Sequence, residues 1–268
     1  MPRAKRLILT GTPPYDQDYI TNHKNRQVMA GCGPVAALIM MSYYDRRHGY
    51  RRLIPSREEM TSGMPKNILL KLRKKMKTSY YGIKGRDKQW YGLTLPGFFR
   101  SGLRSYIKDF YDVRTYSKAS TGFNTLKGVF EKSVELLDQG KVHVMLLDYG
   151  KKKMWRKGGR IIDFPTHYVV VVGYNKSGRK NELVVNNGLG DNFEIIDMKD
   201  KGIKPARIYW ISMKDEADGA RDAHDIGPDC NYKWSGGNLI PDGINWGKSD
   251  KAYSYIRNSE IKKCIWYK

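Results

Sequence analysis

The segment from Val35 to Tyr44 carries no charged side chain and is apolar around its whole circumference when wound as a helix. A helix of that kind cannot lie on a surface, because every face must be removed from water, so the fold has to be built around it. Gly31-Cys32-Gly33-Pro34 stands immediately before it. Proline suits a helix's first turn, where its missing N–H has no intrahelical partner, and Arg46-Arg47-His48-Gly49 supplies the cationic last turn and glycine stop. A buried central helix beginning at the Cys32 turn is therefore the first expectation.

The neighbouring region reads as mostly helical and basic. Ser56 and Glu59 form a capping box, Pro65 opens a segment running through Met76, and Pro96 opens another through Phe110. Asn124 caps a further helix, with Leu126, Phe130, Val134 and Leu137 at helical spacing and Gly140 as its stop. Beyond Gly140 the pattern changes to short β-rich runs at 142–149, 167–174, 182–185, 193–197 and 207–213. A helical half followed by a stranded half predicts an α+β fold with an antiparallel sheet. Residues 1–213 are expected to form the main domain, and 214–268, which lack periodicity, a loop-rich extension packed on it.

Composition limits the classes of function. At 268 residues and 40% apolar content the chain can fill a core of its own. No run approaches the roughly 20 apolar residues of a membrane span, and the basic N-terminus leads only to Leu7-Ile8-Leu9, too short for a secretory signal. A soluble protein, cytoplasmic by default, is expected; secretion or injection by another route and processing stay open.

Forty-nine basic against 27 acidic residues give a net charge of +22, with dense runs at 71–77 and 151–157, a surface that attracts polyanions such as cell wall, anionic lipid or nucleic acid. No nucleic-acid recognition motif accompanies the charge. Cys32, Cys230 and Cys264 are too few for a disulfide scaffold and contain no Cys-x-x-Cys pair, so no structural metal is expected; a Cys230–Cys264 bridge and reduced thiols are both open. Gly188-Leu189-Gly190 lacks the third glycine and following helix of a phosphate-cradling loop, and no cofactor is expected.

Cys32 is the residue with chemistry. At a helix N-terminus the dipole and unpaired N–H groups favour a thiolate, whereas a cysteine inside a helix or strand is a small inert apolar residue. A thiolate attacking a carbonyl needs a base and donors for the developing oxyanion. His167 opens an apolar strand that can aim its ring rigidly, while His143 lies inside a strand and His23, His48 and His224 lack a rigid element. Asn186, Asn187 and Asp191 follow the next strand, where one of them could fix the imidazole tautomer, and alternation lets only one of the two asparagines face the histidine. Gln27, five residues before Cys32, is the first candidate for oxyanion donor, and Gln17 the second.

Gln27 through Tyr44, then Thr166-His167 through Gly173, then Val185-Asn186-Asn187-Gly188-Leu189-Gly190, together resemble the papain-like cysteine peptidases. The likeness spans roughly residues 17 to 213 and is nearest to the bacterial branch similar to leader-cleaving peptidases of bacteriocin exporters, with a secondary likeness to streptopain. It implies a papain-like fold and cleavage of a peptide bond through a Cys32 thioester, with His167 as base, Asn187 orienting it and Gln27 binding the oxyanion. In the leader-peptidase branch an aspartate usually fills the orienting role, which keeps Asp191 in play. A deamidase, transglutaminase-like enzyme or cell-wall amidase would share the first half-reaction, and an inactive, basic binding module is the non-enzymatic alternative.

Overall fold

The computed structural model describes residues 6–17, 30–55, 64–78, 92–119, 126–148, 166–177, 180–189, 193–199 and 204–219, Gly122 and Gly202, and the backbone of the short strands at 19–21, 27–29, 83–84, 90–91, 155–157, 160–162, 229–235 and 238–245. Its elements in chain order are β1 (Arg6–Ile8), β2 (Tyr19–Thr21), β3 (Gln27–Met29), α1 (Cys32–His48), a 3₁₀ turn (Arg51–Leu53), α2 (Lys66–Lys75), β4 (Ile83–Lys84), β5 (Trp90–Tyr91), α3 (Pro96–Ile107), β6 (Val113–Ala119), α4 (Leu126–Asp138), β7 (His143–Asp148), β8 (Trp155–Lys157), β9 (Arg160–Ile162), β10 (Thr166–Asn175), β11 (Glu182–Asn186), β12 (Phe193–Asp197), β13 (Lys204–Met213), β14 (Asp229–Ser235) and β15 (Asn238–Asn245).

The main sheet has seven strands in the order β12-β11-β10-β7-β13-β6, with β1 beside the end of β10. Every pairing is antiparallel. β7 accompanies β10 only as far as Val171, and β1 takes its place against Gly173 to Asn175. The approach there is close: a Cβ on Gly173 would lie 2.5 Å from the Leu7 carbonyl oxygen.

Strand alternation divides the sheet's side chains between two cores. Val144, Leu146, Tyr168, Val170, Val172 and Val184 face α1, α2 and α3, whereas Met145, Leu147, Val169, Val171 and Val185 face α4. The sheet is thus covered on both sides, which is why β10 is apolar without alternation. α1 lies in the first core with every residue from Gly33 to Arg46 buried. Each of its fully buried large side chains, such as Ile39 and Met40, contributes about 1.5–3 kcal/mol by leaving water. The buried Asp45 carboxylate accepts the Ile54 N–H at 3.2 Å, and Gly49, at φ +75°, closes the helix with its N–H on the Asp45 carbonyl at 3.1 Å.

The α+β class, the central helix and the antiparallel sheet match the sequence reading. Two strands come from outside the expected stranded half: β1 from the N-terminal arm, and β6, which follows α3 and forms the sheet's edge. Within the extension expected to be loop-rich, the tail holds the β14–β15 hairpin. Its start is tied down, since Lys214 N–H donates to the Asp112 carbonyl at 3.0 Å and Asp218 meets Arg52 and the Tyr111 hydroxyl. The expected capping box at Ser56 and Glu59, the Asn124 cap, Cys264 and the side chain of Cys230 lie outside the described residues.

Candidate active site

Cys32 is the first residue of α1, delivered by a backbone turn only glycine adopts without strain. Gly31 has φ +93°, and a Cβ there would stand 2.8 Å from the Gly92 carbonyl oxygen. Behind this turn the buried guanidinium of Arg73, on α2, donates to the Ala30 carbonyl at 2.5 Å. Gly33 is equally confined: a Cβ would lie 2.6 Å from Thr94 Oγ1, which shares a 2.8 Å hydrogen bond with Thr78 Oγ1. The nucleophile candidate is therefore seated between α2 and the 92–95 segment, and it remains partly exposed.

The sheet leaves a place for it. β11 pairs with β10 only from Val170 onward, so Thr166 to Val169 have β7 on one side and, among the described residues, no strand on the other. The N–H groups of Tyr168, of Gly33 and of Cys32 itself lie near enough to the Cys32 sulfur to favour its thiolate. Cys32 therefore sits against the residue that follows His167.

His167 is 5% exposed, and its Nε2 lies 2.7 Å from the main-chain carbonyl oxygen of Asn187. A carbonyl only accepts, so Nε2 carries the proton and Nδ1 holds the lone pair of the neutral ring. The Asn187 side chain is engaged elsewhere: Oδ1 accepts the Leu189 N–H at 3.0 Å, and the amide hydrogen-bonds Glu194. Asn186 donates from Nδ2 to the Pro13 carbonyl and accepts the Gly188 N–H on Oδ1, both at 3.0 Å. The sequence led to a side-chain amide against the histidine; the contact instead comes from the main chain of Asn187, because both asparagine side chains are used in holding the turn and the N-terminal arm. Asp191 lies outside the described residues.

That arm brings Gln17 in. Asp16 bridges to Leu189, the Gln17 N–H donates to the Gly188 carbonyl at 3.0 Å, and Gln17 is 5% exposed. Gly188, at φ +66°, abuts the first turn of α1, with a Cβ there reaching Val35 Cγ1 at 3.2 Å. Gln17, the Asn187–Gly188 turn and the start of α1 are thus consecutive neighbours in space. Gln27 stands in β3, opposite Thr21, and its side chain lies outside the described residues.

Electrostatics favours the neutral pair at rest. Burial pulls the His167 imidazole down to about 4, only partly opposed by the Asn187 carbonyl. Burial also pushes the Cys32 thiol up, against the three N–H groups that favour a thiolate. A helix N-terminus contributes about 0.3–1 kcal/mol to an anion, and the net shift at Cys32 is nonetheless upward, so a thiol and a neutral imidazole are the resting forms. Desolvation pushes the half-buried Glu194 carboxyl up to about 8, so near neutrality it is largely a neutral partner of Asn187.

The other described histidines are occupied structurally. His143 is fully buried with Nε2 3.0 Å from Ser133 Oγ, and His48 Nε2 lies 2.9 Å from the Gly140 carbonyl oxygen, while His23 and His224 are outside the described residues. Among the described residues no group of three or more histidine, cysteine or acidic side chains could hold a metal, and no helix is long and apolar enough to cross a membrane. Arg73, Thr94 and Glu194 were not foreseen from the sequence, since each acts through contacts with residues far away in the chain.

Among solved structures, xylellain, a cysteine protease from Xylella fastidiosa, superposes with a TM-score of 0.34 at 15% identity, covering 78% of this chain and 86% of that one. No curated protein matches. The Peptidase_C39 like family matches residues 11–218, a span that holds the Cys32 helix, His167 and the Asn187 turn, and the chain belongs to that family of cysteine peptidases.

Proposed function

We propose that this peptidase cleaves its substrate through Cys32, with His167 as general base, the Asn187 carbonyl as the group that fixes the base, and Gln17 joining the Cys32 N–H as oxyanion donor. Nδ1 of His167 takes the thiol proton as sulfur attacks the scissile carbonyl carbon. The carbonyl oxygen becomes an oxyanion held by the two donors. The imidazolium then passes its proton to the departing amine, the C–N bond breaks, and a Cys32 thioester remains. Water attacks the thioester with His167 again taking a proton, and release of the carboxylate product restores the thiol.

The observation that supports this reading most is the 2.7 Å contact from His167 Nε2 to the Asn187 carbonyl, which sets the tautomer. Gln17 is preferred to Gln27 because it is buried and bonded to the Gly188 carbonyl, beside the first turn of α1. This makes the second of the two glutamines the proposed donor. Residues 1–213 are taken as the catalytic unit and 214–268 as an extension packed on it, a division supported by the family match ending at 218. Substrates are peptides or proteins.

The test is hydrolysis of a mixed peptide library by wild type and by Cys32→Ala, with products identified by mass. Shortened chains from wild type and none from the variant support a peptidase acting through this sulfur. Glutamine converted to glutamate without chain cleavage would make the protein a deamidase, and equal cleavage by the variant would remove Cys32 from the chemistry.

A further inference from the structure

α3 presents two different faces. Phe99, Leu103 and Tyr106 are buried, with Phe99 stacked 4.7 Å from Tyr168, the residue after His167. The opposite face carries Arg100, Arg104 and Lys108, all exposed. These line a groove of about 870 Å³ whose far wall is β6 together with Arg207 of β13. Three cations at a spacing of four residues stand ~6 Å apart along a helix. An extended peptide places same-side residues, i and i+2, ~6.7 Å apart. A row of alternate carboxylates along an extended chain therefore matches this row of cations.

We propose that the groove binds an extended acidic segment of the protein substrate, an inference that rests on the peptidase reading and adds a substrate preference to it. The groove begins at Pro96, two residues beyond Thr94, whose side chain packs against Gly33 beside the nucleophile. Its far wall is the edge strand of the sheet, where Arg100 Nε donates to the Thr115 carbonyl at 3.2 Å. An edge strand can add a further extended chain by main-chain hydrogen bonds. Thr115 also lines the groove, is 6% exposed, and its hydroxyl has no hydrogen-bond partner among the described residues.

Arg104 has no side-chain partner among the described residues, and Arg207 makes a 3.4 Å bond to Ser117 Oγ. The acid in the lining, Asp109, is paired with Lys75 at 2.8 Å, and Lys108 has Asp112 nearby, which leaves Arg100 and Arg104 without an acidic partner among the described residues. The lining holds no aromatic ring for base stacking and no large apolar side chain for a lipid chain, which favours a peptide over nucleic acid or membrane.

The experiment uses the full chain as Cys32→Ala, so that the probe survives, and a fluorescent peptide of alternating Glu and Gly, read by anisotropy against its Gln and Gly counterpart. The Glu peptide should bind in a salt-sensitive manner, about tenfold more tightly than the Gln peptide, and Arg104→Glu should weaken it about tenfold without changing the melting temperature. Lys127→Glu, on the exposed face of α4, should leave it unchanged. Equal weakening by Lys127→Glu would mean diffuse charge and overturn the proposal, as would absence of binding. Displacement by a single-stranded oligonucleotide or inorganic polyphosphate that binds more tightly and depends equally on Arg104 would assign the groove to that polyanion instead. Binding is measured without turnover, so it stands or falls separately from the role of Cys32; in the cleaving enzyme Arg104→Glu should raise KM for an acidic substrate and leave kcat alone.

Discussion

Nε2 of His167 is held 2.7 Å from the main-chain oxygen of Asn187, so the group that fixes the imidazole is one no point substitution removes. In enzymes where a side chain does this work, replacing it costs about 10⁴ in kcat through the wrong tautomer. Here the Asn187 side chain only braces the turn, through Leu189 and Glu194. Asn187→Ala is expected to lower kcat about tenfold or less, against a loss of about 10³-fold or more in His167→Ala. Steady-state kinetics on one peptide substrate checks it; equal losses would show that the side chain carries the role.

The two glutamines give opposite expectations. Gln17 is fixed by its own main chain to the Gly188 carbonyl at 3.0 Å, in the turn that abuts α1. Loss of one oxyanion donor costs about 10²–10³ in kcat. Gln17→Ala should fall in that range with KM nearly unchanged, and Gln27→Ala should retain most activity. The reverse order would restore the donor first expected from the sequence.

The closeness of Gly33 to Thr94 predicts a stability effect against helix propensity. Alanine in place of glycine ordinarily stabilises a helix by up to about 1 kcal/mol. At Gly33 the added methyl would lie 2.6 Å from Thr94 Oγ1 and strain the buried Thr78–Thr94 hydrogen bond. Overpacking of this kind costs about 1–3 kcal/mol, so Gly33→Ala should melt at a lower temperature than wild type. A higher melting temperature would contradict the packing described for this turn.

The pH profile follows from the depressed imidazole. With His167 near 4 in the folded protein, the base is neutral and usable well below the ordinary histidine value of ~6.5. kcat/KM should therefore hold from neutrality down to about pH 5 and fall with an apparent value near 4. An acid limb near 6.5 would show a solvated imidazole. Folding stability moves in the same direction: between pH 4 and 6.5 the unfolded chain protonates this histidine and the native chain does not. Its contribution is thus complete above ~6.5 and is lost as pH falls toward 4.

Elements whose local pattern and tertiary role agree were legible in the sequence. α1 is apolar all round because it is buried all round, and Gly49 ends it with positive φ as its position suggested. β10 could be read as buried on both faces from its valines alone. β1 is three residues long and joins the sheet only because β7 stops at Val171, a fact of register without local trace. The same holds for the site. Cys32 and His167 announce themselves by residue type and placement, whereas a main-chain carbonyl has no residue type to announce. Gln17 lies fifteen residues before Cys32 in the chain and comes to the Gly188 turn beside the start of α1 because the β2–β3 hairpin closes the intervening segment on itself.

The central claim is that His167 activates the sulfur of Cys32, and the rate of Cys32 alkylation by iodoacetamide as a function of pH tests it most directly. The account predicts a neutral-pH rate that depends on the imidazole: it is reduced at least about tenfold in His167→Ala, and in wild type it falls as His167 protonates toward pH 4. A rate indifferent to removal of the imidazole would contradict it.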